Sequence, residues 1–117
     1  MGEDTQVCSL GPDSEYVELA VEVFAMLADP TRVRIILALR SSGEMSVNHL
    51  ADVVDKSPTA VSQHLAKLRL SRMVQPRRVG TTVFYRLTDE HASELVAQAV
   101  LQAEHVIGAT HHHQESH

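Results

Sequence analysis

The sequence predicts a mainly α-helical domain carrying a small β-wing, in the order of a winged helix-turn-helix. Three observations lead there. Apolar residues recur at three- and four-residue spacing near both ends of the chain, the mark of helices with one buried face. Between Ser46 and Ser71 two helical patterns are separated by a tight turn, each opened by a serine able to cap it. Directly afterwards Gly80 supplies a turn, and the following run alternates Val83, Tyr85 and Leu87 against Thr82, Phe84 and Arg86, as a half-buried strand does.

Residues 1–14 mix Gly, Pro, Asp and Ser without periodicity, so a loose, flexible N-terminal arm is expected, with no role in the fold. From Glu15 to Ala28 the residues Tyr16, Leu19, Ala20, Val23, Phe24 and Leu27 mark the buried face of a first helix. Asp29-Pro30 then reads as an N-cap followed by proline at the first helical position. The second helix is expected to bury Val33, Ile36 and Leu37 and to stop at Ser41-Ser42-Gly43. Ser46 caps a short third helix containing Leu50, Ala51, Val53 and Val54. Asp55-Lys56 makes the turn, and Asp tolerates the positive φ such turns need. Ser57-Pro58 opens the next helix, whose stripe of Val61, Leu65 and Leu68 faces inward. That leaves Thr59, Ala60, Ser62, Gln63 and Lys67 facing outward, short or polar side chains suited to base edges and phosphates; Ser57 and His64 complete this candidate set. The wing follows as two strands, with Pro76 restricting the first to an edge and Arg77, Arg78 and Arg86 placed for the phosphate backbone. The expected division is therefore arm 1–14, a DNA-binding and dimerisation domain 15–107, and a His-rich C-terminal tail 108–117.

The charge distribution supports a nucleic-acid partner although the net charge is -5. Between Lys56 and Thr88 there are seven basic residues and no Asp or Glu, whereas the remainder holds three basic residues against fifteen acidic ones. A basic reading module thus sits inside an acidic protein. No apolar run approaches the roughly 18 residues of a membrane span, so the chain is expected to be cytoplasmic, with no membrane partner. No glycine-rich phosphate loop, nucleophile–base pair or paired carboxylates can be assembled from spacing, and an enzyme is not expected. Cys8 is the only cysteine, which excludes an internal disulfide and a thiolate cluster.

The stretch from Asp89 to His113 carries the most unusual chemistry. His91 and His105 are fourteen residues apart, about 40° short of four helical turns, so they share a face. They also stand roughly 21 Å apart along the axis, too far for one metal ion. An antiparallel copy of the helix from a second subunit would bring His91 of one chain to the partner's His105. Gln98 and Gln102 lie in the same stripe, and a polar stripe among Leu95, Val96, Ala99, Val100, Val106 and Ile107 is costly to bury unless something satisfies it. Asp89 reads equally as an N-cap and as a ligand. Imidazoles and carboxylates without thiolate suit nickel, cobalt and zinc, and extra nitrogen donors favour six-coordinate nickel or cobalt.

Three stretches then resemble the ArsR/SmtB family of bacterial metal-sensing repressors: Leu27 to Leu37 (LADPTRVRIIL), Val61 to Leu68 (VSQHLAKL) and Gly80 to Leu87. The resemblance implies a homodimer with its first and last helices at the interface, which binds a palindromic double-stranded operator and lets go when an effector binds. It also implies a last-helix metal site. Asp89-Glu90-His91 fits its first half, and His105 fits its second, while Gln102 stands where a ligating His is usual. The donor set implied is then His91, Glu104 and His105 with Asp89 and the tail residues His111, His112 and His113, similar to the actinobacterial nickel and cobalt sensors of the family. Nickel or cobalt is the expected ion, zinc the alternative, and no organic cofactor is expected. Ser46 stands where relatives carry a thiol, which argues against a thiolate-rich site. Two rival readings are a regulator without metal, or one answering to oxidants through Cys8, and a metal-buffering protein in which the His tail does the binding.

Overall fold

The computed structural model describes residues 10–115, and their side chains through residue 108. Cys8 and the imidazoles of His111, His112 and His113 lie outside the described residues. Five helices and three strands follow in the order α1 (Val17–Leu27), α2 (Pro30–Ser42), β1 (Glu44–Ser46), α3 (Val47–Val54), α4 (Pro58–Leu70), β2 (Val74–Val79), β3 (Thr82–Leu87) and α5 (His91–Glu115). No helix among the described residues is long and apolar enough to cross a membrane.

The helix boundaries are written in local chemistry. Asp29 accepts a hydrogen bond from the Arg32 backbone N–H at 2.9 Å, and Pro30 stands at the first position of α2, where its missing N–H costs nothing. Gly43, at φ 84°, ends that helix, and its N–H donates to the Leu39 carbonyl. Ser46 and Ser57 cap α3 and α4 in the same way, through the N–H groups of His49 and Ala60 at 3.2 and 3.1 Å. The exit from α4 is less ordinary. Arg72 takes a left-handed φ of 62°, the Arg72 N–H donates to the Arg69 carbonyl, and the Met73 N–H donates to that of Leu68. This is a Schellman end with arginine where glycine is usual.

The core gathers around α2. Ile35, Ile36 and Leu39 pack against Leu50, Ala51 and Val54 of α3, Val61, Leu65 and Leu68 of α4, Met45 and Val74 of the sheet, and Val96 of α5. The α4 stripe is as expected. On α2 the expectation was shifted, since Ile35 and Leu39 are buried while Val33 and Leu37 only pack against the core from its edge. Val53 of α3 is exposed.

Two further expectations are corrected. The wing is a three-stranded sheet of order β1-β3-β2, not a pair of strands: β1 adds Glu44, Met45 and Ser46 opposite Arg86, Tyr85 and Phe84. Three residues are too few for an alternating pattern to announce a strand. The first helix buries only Leu27 within the chain, and Tyr16, Leu19, Val23 and Phe24 are exposed. Its apolar periodicity reports a face that calls for covering, and among the described residues of one chain nothing covers it.

Candidate DNA-reading and metal-ligating sites

The helix-turn-helix is held by α3 crossing α4 through a turn in which Asp55 adopts the left-handed conformation (φ 56°, ψ 51°) and the Lys56 N–H returns to the Ala51 carbonyl at 3.1 Å. With Val61, Leu65 and Leu68 fully buried, the opposite face of α4 is set outward. Thr59, Ser62, Gln63 and Lys67 are exposed on it, Ala60 is half-buried, and Ser57 spends its oxygen on the cap but keeps its hydroxyl proton to donate. His64 is turned differently: it is half-buried, and its Nδ1 accepts from Arg32 Nε at 3.1 Å. It lies 3.9 Å from the Asp29 carboxylate, whose pKa is held below the ordinary value by the Arg32 backbone N–H.

Strand pairing separates the wing arginines. Gly80, at φ 62°, opens a two-residue turn between the paired Val79 and Thr82, and alternation from there puts Gln75, Arg77, Phe84, Arg86 and Glu44 on one face of the sheet. Arg78 faces the other way and lines a groove of about 350 Å³ with Arg69 of α4, Pro76, Val83 and Tyr85. Arg77 is not a free cation. Its guanidinium grips the Glu44 carboxylate with Nε to Oε2 at 2.9 Å and Nη2 to Oε1, and lies over Phe84, 5.7 Å from the ring centroid. That grip holds the Glu44 carboxyl below its usual range and raises Arg77. Arg86 is engaged as well: with the Gln75 amide turned so that its oxygen faces the guanidinium, Arg86 Nε and Nη2 donate to that oxygen at 3.2 and 3.3 Å. Of the three, Arg78 is the one presented beside α4. Arg69 joins it, a partner that the sequence reading passed over and that its basic charge at the end of α4 could have suggested.

The last helix opens with Asp89 Oδ1 accepting the His91 backbone N–H at 2.9 Å, so Asp89 serves the helix start, and among the described residues its Oδ2 has no partner. His91, Glu104 and His105 are exposed. Among the described residues of one chain no three His, Cys, Asp or Glu side chains come together as a metal site. Between His91 and His105 the helix shows Leu95, Val100 and Leu101 to the outside, and a cavity of about 540 Å³ lies between α1 and α5, lined by Phe24, Leu27, Val33, Leu95, Ala99 and Ala103. The start of α5 is tied inward by Ser93, 1% exposed, which accepts from Arg40 Nη1 at 3.0 Å and donates to the Glu90 carbonyl at 3.1 Å.

Known proteins share this arrangement. Residues 29–75 match the model of the bacterial regulatory protein arsR family. The HTH-type transcriptional regulator KmtR of Mycobacterium tuberculosis is 54% identical over 107 residues, covering 88% of this chain and 82% of KmtR. The crystal structure of the antimony-specific transcriptional repressor AntR superposes with a TM-score of 0.72 at 30% identity, over 86% of this chain and 98% of that one. The homodimeric winged helix-turn-helix DNA-binding domain Mb0332 from Mycobacterium bovis gives a TM-score of 0.67 at 26% identity, over 83% and 94%. With its capped helix-turn-helix, its basic outer face and relatives that match most of their length, this chain belongs to the ArsR/SmtB family, as a DNA-binding transcriptional repressor and not an enzyme.

Proposed function

We propose that this repressor is metal-responsive: a metal-free homodimer grips a palindromic operator through two α4 helices, and nickel(II) or cobalt(II), with zinc(II) as the alternative, loosens that grip from α5. One observation carries the reading. A single helix presents exposed imidazole and carboxylate donors at two levels, His91 at its start and Glu104 and His105 about four turns on, with an apolar face between them that the described residues leave exposed. None of those three side chains makes a hydrogen bond or ion pair among the described residues, so all are available as ligands. Covering the α1/α5 face with a second copy is what the homodimeric domain from Mycobacterium bovis suggests, and response to an inorganic effector is what the antimony-specific repressor suggests.

The donor set fits a borderline metal ion. His91, Glu104 and His105 would hold it, with Asp89 through Oδ2 and the tail residues His111, His112 and His113 completing the set, and no thiolate is needed. Bound there, the ion supplies a bridge between donors of two subunits. The chain's own part is mechanical. Ser93 and Arg40 join the first turn of α5 to α2, so a change in the set of the His91 end is passed to the helix on which α4 packs. The expected coupling is about 1–3 kcal/mol, or roughly 5- to 150-fold in DNA affinity.

Fluorescence anisotropy on a duplex selected from a random library by the metal-free protein tests this directly. Weaker binding with nickel(II), cobalt(II) or zinc(II), lost in His91→Ala, is the expected result; affinity indifferent to all three ions would sink the proposal. Cobalt(II) absorption with a truncation after Thr110 then reports the tail, since weak d–d bands that intensify on truncation mean that tail imidazoles raise the coordination number.

A further inference from the structure

Arg32 stands where three elements meet. It is the third residue of α2, and its backbone N–H is already committed to the Asp29 cap. Its side chain reaches in two directions. Nη1 donates to the Met26 carbonyl oxygen at 3.2 Å, in the last turn of α1, and also touches Met26 Sδ at 3.2 Å. Nε donates to His64 Nδ1 at 3.1 Å, in the middle of α4. For Nδ1 to accept, the His64 ring is neutral with its proton on Nε2.

The geometry matters because of what the two helices do. Helix α1 carries an uncovered apolar face, and α4 carries the outward polar face. One planar guanidinium with its donors in a fixed fork joins them, and a rigid fork constrains an angle where a flexible ammonium constrains only a distance. We propose that Arg32 and His64 are positioning residues for DNA reading: the guanidinium ties the end of α1 to the middle of α4 and sets the angle at which the recognition helix is presented relative to the dimer helix. This rests on the reading of α4 as the element that enters the major groove. It gives His64 a role exercised through Arg32 and not through a base edge.

The test compares two probes at one salt concentration, a fluorescein-labelled duplex selected by the wild-type protein and an unselected random duplex. His64→Leu and Arg32→Gln are each expected to reduce the preference for the selected duplex by about tenfold or more, equivalent to about 1.4 kcal/mol. His64→Asn offers an amide oxygen near the place of Nδ1 and should restore the preference to within roughly threefold of wild type. Binding to the random duplex should hold in both His64 variants, because the cations that contact phosphate are unchanged. A preference retained in both His64→Leu and Arg32→Gln overturns the tie. So does loss of preference in His64→Asn with Arg32→Gln unaffected, which would make His64 a direct reader through Nε2. If a thermal melt shows His64→Leu unfolded, Arg32→Lys decides, since it keeps the charge but loses the planar fork that fixes the angle between the two helices; preference retained there overturns the proposal. A wild-type protein without preference for any duplex would instead overturn the DNA-reading role of α4 itself.

Discussion

Replacing Glu44 by glutamine should make DNA binding more salt-dependent, and the structure sets the size of the effect. In the free protein the Arg77 fork is filled by the Glu44 carboxylate and its plane lies over Phe84, so the cation is spoken for before any phosphate arrives. Glu44→Gln keeps the side-chain size and one acceptor oxygen but removes the charge that holds Arg77. Each phosphate newly neutralised adds about 0.9 to the slope of log affinity against log salt, so two per dimer add about 1.8. Between 50 and 200 mM salt that amounts to an extra loss of about twelvefold in affinity relative to wild type, with tighter binding at the low-salt end. The fold should be indifferent, because the ion pair is at the surface, with 53% of the Arg77 side chain exposed. Anisotropy titrations of both proteins at four salt concentrations measure the slopes. An unchanged slope in Glu44→Gln refutes the reasoning, and so does Arg77→Ala lowering the wild-type slope as much as Arg78→Ala does, since that would mean Arg77 leaves Glu44 for DNA unaided.

Three other outcomes follow from the same structure. Asp29→Ala should cost about 1 kcal/mol through loss of the α2 cap, read in a urea melt, while Asp29→Asn should retain most of it. Because the Arg32 N–H lowers the Asp29 pKa from 3.8, this cap's charge-dependent share is fully present above 3.8 and is lost as pH falls through the lower folded value; Asp29→Asn should flatten that acid-side decline, and an identical decline in both proteins contradicts it. Leu65→Ala, at a position with no exposed surface, should destabilise by about 2–5 kcal/mol, visible as a large drop in melting temperature. Arg72→Gly should raise the melting temperature, because the left-handed conformation costs a non-glycine residue roughly 1 kcal/mol; a lower melting temperature would show that the Arg72 side chain holds something the relieved backbone does not replace.

Much of the fold was legible because its instructions are local. The caps at Asp29, Ser46 and Ser57, the prolines behind two of them, the left-handed Asp55 and the Val61, Leu65 and Leu68 stripe each depend on residues within one or two turns of chain. Family membership was legible for the same reason, since the motif around Asp29 to Leu37 and the α4 stripe are contiguous. What failed was non-local. Strand β1 exists only because β3 lies beside it, and the bond between Glu44 and Arg77 spans 33 residues, so no window along the chain could have removed Arg77 from the list of free phosphate contacts. His64 is likewise 32 residues from the arginine that occupies it.

The helices α1 and α5 mark the boundary between the two kinds of knowledge. By itself the sequence determined that each is helical and that each carries an apolar stripe, because period and propensity are properties of neighbouring residues. Packing alone settles that the described residues leave most of that apolar surface exposed, burying Leu27 of α1 and Ala92, Ser93 and Val96 at the start of α5. It also settles that Arg40 anchors α5 through Ser93 and that Arg32 joins α1 to α4. Burial and long-range hydrogen bonds depend on where elements come to rest against each other, and that is a property of the packed chain.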